Sequence, residues 1–189
     1  MKKFELTSET KINIFGKKLF RIKALISFGV VKTGETGGWV EKEENVNQSG
    51  NAWVSGNAEV FGNARVSGNA EVSGNARVFD NAEVFDNAWV SGNARVFGNA
   101  EVSDNAWVSG NAEVSDNADY ATIHGFGTQF RTTTFFRCKD KQVKVSCGCF
   151  YGTIPEFREQ VKNTRKGKIA EEYLMIADLM EKHFAEEAK

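Results

Sequence analysis

Residues 52–117 read AWVSGN, AEVFGN, ARVSGN, AEVSGN, ARVFDN, AEVFDN, AWVSGN, ARVFGN, AEVSDN, AWVSGN, AEVSDN. These are eleven consecutive blocks of A-x-V-x-[GD]-N, with no insertion or deletion. Alanine and valine stand two apart in every block, which places both on one face of a short extended strand. The Gly-Asn or Asp-Asn pair that follows tolerates backbone conformations other residues resist, so each strand should end at a corner. A disordered polar tract has no reason to keep valine at every sixth position.

A longer period lies on top of the hexads. Serine follows valine at Ser55, Ser73, Ser91 and Ser109, and phenylalanine follows it at Phe61, Phe79 and Phe97. Tryptophan precedes valine at Trp53, Trp89 and Trp107. Every spacing is 18 or 36, so the chain should return to the same side after three strands and three corners. The expected body is a triangular coil with Val and Ala inside and columns of like residues outside. Its rungs should stack at about 4.8 Å, the strand spacing of any sheet.

Over roughly residues 40–128 this pattern resembles the left-handed parallel β-helix of the hexapeptide-repeat superfamily, which includes many acyltransferases. The resemblance implies a mainly β chain and, in that superfamily, trimers. The flanks carry a narrower likeness. ISFGVVKTGETGGWVEKEENVNQSGNAWV (26–54) and FFRCKDKQVKVSCGCFYGTIPEF (135–157) resemble segments of uncharacterised bacterial and phage repeat proteins. That likeness implies a phage-type origin and no particular activity, since a fold alone does not give a function.

Three regions follow. Residues 1–50 alternate apolar and polar side chains in INIFGKKLFRIKALISFG, a hairpin around Gly16 and Lys17 that should cap the first rung. Residues 51–128 form the coil, whose pattern decays through ADYATIHGFGTQF, where Tyr120, Ile123 and Phe126 take over. Residues 129–189 change grammar. TTTFFRC and QVKVSCGCFYG read as two strands joined by the turn KDK. Thr153 and Glu156 match a capping box, with Pro155 in the first turn of a short helix. A longer helix follows the basic turn KNTRKGK, with Ile169, Tyr173, Ile176, Met180 and Phe184 on one stripe. The tail is expected to be a small ββαα unit that can be removed without unfolding the coil.

The charge balance is 24 basic against 25 acidic residues, so no overall positive field favours nucleic acid. No run approaches the roughly 18 apolar residues of a membrane span, and MKKFELTSETK lacks the apolar core of a secretory signal. Three cysteines, Cys138, Cys147 and Cys149, are unlike a secreted disulfide framework, and the expected compartment is cytoplasmic. Their spacing is not a zinc pattern and no histidine lies close in sequence, so no metal or cofactor is expected.

The outward columns carry the functional expectations. One side shows Trp53, Glu71, Trp89 and Trp107 beside serines. A second shows Phe61, Phe79 and Phe97 beside Glu59, Arg77, Arg95 and Glu113. The third shows Arg65, Glu83, Glu101 and Asp119, with Asp86 and Asp104 at its corners. A contiguous exposed aromatic stripe marks an interface more often than chance, although stacked rings also stabilise a ladder by about 0.2–1 kcal/mol per pair. The candidate binding residues are therefore Trp53, Trp89, Trp107, Phe61, Phe79, Phe97, Arg77 and Arg95. Arg77 and Arg95 fall on adjacent rungs, where like charges repel. A small anion or partner carboxylate could sit between them, but nothing else in the hexads cradles a phosphate, and the simpler reading is that the two long side chains diverge into solvent. Packing the phenylalanine side of one chain on the acidic side of the next would be head-to-tail, and closes most simply as a homotrimer. A dimer through the tryptophans is the rival arrangement.

Catalysis is not expected. The regular hexads contain no histidine, and only His124 near the end of the coil could serve as a base. The leading expectation is a non-enzymatic, phage-type protein that engages a host protein or small ligand, for instance to inhibit a host defence. The alternatives are an acyl-CoA-dependent enzyme using His124 and a structural phage component.

Overall fold

The computed structural model describes residues 2–185. The hexads form a parallel β-solenoid with two-residue strands on three faces. Trp53-Val54, Glu71-Val72, Trp89-Val90 and Trp107-Val108 pair in register on one face. Glu59-Val60, Arg77-Val78, Arg95-Val96 and Glu113-Val114 form the second. Arg65-Val66, Glu83-Val84 and Glu101-Val102 form the third. Each pairing joins residues 18 apart, as the superperiod requires. The valines and alanines of the hexads are buried in one continuous core. Fully burying a valine is worth about 1.5–3 kcal/mol, so this column is the main stabilising element.

The corners explain the alternation of Gly with Asp. Gly74 and Gly92 hold φ near +68°, while Asp80, Asp86 and Asp104 hold φ between 57° and 59°. Aspartate tolerates this left-handed region better than most side chains. The corner asparagines stack into ladders, with Asn63 Nδ2 donating to Asn81 Oδ1 and Asn81 Nδ2 to Asn99 Oδ1, each at 3.1 Å.

The N-terminal segment is a hairpin of β1 (Phe4–Ile12) and β2 (Lys18–Ala24), turning at Gly16. β2 pairs with β3 (Thr36–Val40), whose Trp39 and Val40 pair in parallel with Glu59 and Val60. The coil therefore begins at Trp39, about a dozen residues before the hexads become regular. Gly38 permits this entry, because a Cβ there would come within 2.6 Å of Val54 Cγ1. Lys3 is buried over the first rung, its Nζ donating to the Ala52 carbonyl at 2.8 Å. Burial lowers its pKa to about 8.

The C-terminal end differs from two strands and two helices in two respects. Tyr120–Phe126, expected in the last decaying rung, is β4 and pairs antiparallel with β5 (Arg131–Arg137). The segment QVKVSCGCFYG breaks at Gly148 into β6 (Val143–Cys147) and β7 (Phe150–Thr153). The four strands form one sheet in chain order, followed by α1 (Ile154–Thr164) and α2 (Gly167–His183). The capping box is present, with Thr153 Oγ1 accepting from the Glu156 amide and the Glu156 carboxylate accepting from the Thr153 amide. Phe135, Phe157, Val161, Tyr173, Ile176, Met180 and Phe184 fill a separate core. Phe136 and Cys138, however, point the other way and complete the core of the coil. The tail is thus the coil's lid as well as a unit with its own core.

Candidate binding surface

The two aromatic columns have opposite fates. On the second face, Phe61 and Phe79 stack at 5.1 Å with 4° between ring planes, and Phe79 stacks on Phe97 in the same way. This ladder is covered. Phe15, from the tip of the hairpin, sits 5.4 Å from Phe61 and 5.3 Å from Phe79, and Leu19 and Trp39 join the cluster. Phe61 and Phe79 are buried and Phe97 is partly so. The expectation that this column is an open interface is corrected here. The hairpin does more than seal the first rung: it folds along the side of the coil and takes the phenylalanines as its own core. The apolar contact on which the head-to-tail trimer was built is therefore occupied within one chain.

The arginines on this face are also ion-paired within the chain, although the Nε of each is buried without a hydrogen-bond partner. Their column reads Glu59, Arg77, Arg95, Glu113, so each arginine has a glutamate on the side away from the other. Arg77 Nε lies 3.3 Å from Glu59 Oε2, an ion pair that is not aligned as a hydrogen bond. Arg95 Nη1 donates to Glu113 Oε1, and its guanidinium lies 5.5 Å from the Phe79 ring centre and 5.4 Å from that of Phe97. Lys11 of the hairpin adds a second cation to Glu59 at 2.8 Å. An anion between the arginines is not needed to relieve their repulsion.

The tryptophan face is open in its middle. Trp53 is buried beneath Phe4 and Phe28, whose ring centres lie 6.3 and 5.5 Å away. Trp107 is half-buried, and its amide donates to Thr134 Oγ1 at 3.0 Å where the tail covers the last rung. Trp89 between them is 41% exposed. It stacks on Trp107 at 5.0 Å with 6° between planes, and its Nε1 donates to Ser73 Oγ at 3.1 Å. Its other face looks toward the rung of Glu71, whose side chain is exposed and forms no ion pair with the described residues. A preoriented indole, a carboxylate and a serine row thus lie in a notch between the two capping units.

The solenoid is strongly acidic although the whole chain is nearly neutral. Residues 41–119 hold thirteen acidic and four basic side chains, a net of −9, whereas residues 131–185 hold eleven basic and seven acidic, a net of +4. The even overall balance hides this segregation. On the third face Glu83, Glu101, Asp86 and Asp104 are exposed. Asp119 has left that column for a short 3-10 turn, where it pairs with Arg137 at 3.3 Å.

The remaining candidates are dispersed. His124 lies exposed on β4 with Nδ1 3.2 Å from Thr132 Oγ1. Cys138 is buried in the coil core, where burial pushes its thiol up to about 11, while Cys147 and Cys149 flank the Gly148 turn. No three His, Cys, Asp or Glu side chains among the described residues are grouped to hold a metal, and no described helix is long and apolar enough to cross a membrane. Neither a scan against protein-family models nor a search of curated proteins returns a match to this chain.

Proposed function

We propose that this chain is a non-catalytic binding protein whose rigid solenoid presents the Trp89 notch to a basic protein surface. The observation that carries the reading is the indole ladder left open between two caps that cover the same column at both ends. Trp89 is held by a stack and a hydrogen bond, so a partner would not have to order it on binding, and preorganised aromatic residues are the commonest hot spots. The net charge of −9 on residues 41–119 sets the sign of the partner, because complementary fields speed encounter and exclude wrong partners.

The finer assignment is to the hexapeptide-repeat superfamily, with its left-handed winding, and to a phage-type origin. It rests on the repeats and on the flanking segments, and makes the natural partner a protein of the bacterial host, for instance a component of its defences. Affinity capture from bacterial lysate, using wild type, Trp89→Ser and Glu71→Lys in parallel, tests the reading. A partner retained by wild type should bind Trp89→Ser about 30-fold more weakly or worse, as for a hot-spot residue worth about 2 kcal/mol. Identical retention by all three proteins would place the binding surface elsewhere.

A further inference from the structure

The C-terminal unit contains a second, chemically different recess. It is a cavity of about 100 Å³ between the β4–β5 turn, the Gly148 turn and the end of α1. Arg131 and Arg165 both line it, together with the side chains of Thr128, Gln129, Gln160 and Thr164. No carboxylate lines it, and neither arginine is ion-paired with a described residue. Arg165 spends one contact on its own helix end, Nη1 to the Thr164 carbonyl at 3.3 Å, which leaves most of its five donors free. Arg131 lies across Gly148, where an added Cβ would fall 2.4 Å from its Nη1, so the glycine gives the guanidinium its place.

The floor is apolar. Phe157 and Tyr173 are buried and meet edge to face at 5.8 Å, and the Tyr173 hydroxyl donates to the Phe126 carbonyl at 3.2 Å. Burial raises the Tyr173 pKa, so the phenol contributes no negative charge. Lys162, Lys166 and Lys168 are exposed along the chain on either side of Arg165, and none of them lines the recess. Next to Arg131, Phe130 is 64% exposed and held at φ +48°, a conformation rare for a bulky residue and one that gathers at functional sites. Other charged hollows carry carboxylates: one beside the first rungs sets Glu43, Glu44 and Glu83 around Arg65. Another, about 630 Å³ beneath the Lys139–Asp140 turn, sets Arg95 against Glu113 and Lys139 beside Asp140.

We propose that this recess binds the phosphate group of a small phosphorylated molecule, with Arg131 and Arg165 closing on its oxygens. Guanidinium forks match tetrahedral oxyanions in two-point contacts, and an apolar floor strengthens such contacts by keeping water from one side. A volume near 100 Å³ admits the anionic head and leaves the rest of the ligand at the rim. This site is separate from the Trp89 notch and does not depend on it.

Isothermal titration of the full chain in low salt tests the site, using inorganic phosphate, a nucleoside monophosphate and the same nucleoside without phosphate. Both phosphate compounds should bind and the bare nucleoside should not. Arg131→Gln and Arg165→Gln should each weaken binding by about tenfold or more, the loss of a charge-assisted contact. The pair Lys162→Gln with Lys166→Gln, outside the recess, should change it by less than about threefold. Both arginines are exposed, and unchanged circular dichroism would show that their variants fold. Bound phosphate should also slow alkylation of Cys149, which lies exposed at the recess. Equal affinity for phosphate and monophosphate would mark the free ion as ligand, and much tighter monophosphate binding would mark the ester. No binding by wild type, or equal loss in the lysine pair, would overturn the proposal.

Discussion

Replacing Phe79 with alanine separates a core ladder from a binding stripe. Phe79 is enclosed by Phe61 and Phe97 at 5.1 Å and Phe15 at 5.3 Å, and is buried. Truncating a buried phenylalanine to alanine costs about 3–5 kcal/mol through lost burial and the cavity left behind. Phe97 continues the same ladder but has Phe79 on one side only and remains partly exposed. About 1–2 kcal/mol is expected for Phe97→Ala once burial is discounted. The difference of about 2 kcal/mol corresponds to roughly 30-fold in the opening equilibrium of the hairpin. Solenoids can open in parts, so a global melt could miss it. Hydrogen exchange at the amides of β1 and β2 reads the equilibrium directly. Phe79→Ala should accelerate those amides by more than about 100-fold, and Phe97→Ala by roughly 30-fold less than that. Equal acceleration by both variants, or none by Phe79→Ala, would show that the hairpin is not held by the ladder.

Other parts of the account are open to the same treatment. Val84→Asp should unfold the middle rungs, since Val84 is wholly buried and an unpaired carboxylate there has no partner; loss of the cooperative β signal in circular dichroism checks it. Deleting residues 132–189 should give an aggregating coil, because Phe136 and Cys138 leave its core, and a soluble folded product in sedimentation would contradict this. Lys3 makes stability depend on pH. Its pKa falls from 10.5 unfolded to about 8 folded, so the unfolded chain binds more protons above pH 8 and stability should rise with pH there. The Cys138 thiol, raised from 9.0 to about 11, opposes this above pH 9. Denaturant titrations between pH 8 and 9 should therefore show a positive slope in wild type that is reduced in Lys3→Met. In light scattering, Arg77→Glu with Arg95→Glu should leave the molecular mass unchanged, because the glutamates beside these arginines belong to the same chain.

The solenoid was legible because its period is enforced by contacts between identical positions. Val60, Val78 and Val96 pair directly across rungs, so one hexad repeats the constraint of the next. The inward register and the three unlike faces follow from that alone. What covers a face does not, since an outward residue such as Phe79 reads the same whether water or Phe15 lies above it. The alternation in INIFGKKLF predicts a hairpin but carries no signal of where it docks. Gly148 likewise splits one apparent strand into two, because a left-handed glycine at φ +61° turns the chain where propensity alone reads on. Tyr120, Ile123 and Phe126 read as a failing rung. The loss of the hexad pattern there in fact marks a change of partner, from the parallel coil to the antiparallel β5. The three tryptophans read alike in sequence yet differ in exposure, with Trp89 open, Trp107 half-covered and Trp53 buried. The Arg131 and Arg165 recess joins residues 34 apart in sequence through the tail fold, and only the basic run KNTRKGK hinted at it.

Site-specific photo-crosslinking in living bacteria tests the central claim most directly. A photoreactive phenylalanine placed at Ser91, beside Trp89, samples the notch, and one placed at Glu101 samples the third face of the same coil. Position 91 should give a discrete adduct with one protein, lost when Trp89→Ser is added, and position 101 should give none of that species. No adduct from position 91, or the same adduct from both positions, would contradict a coil that binds through its open tryptophan edge.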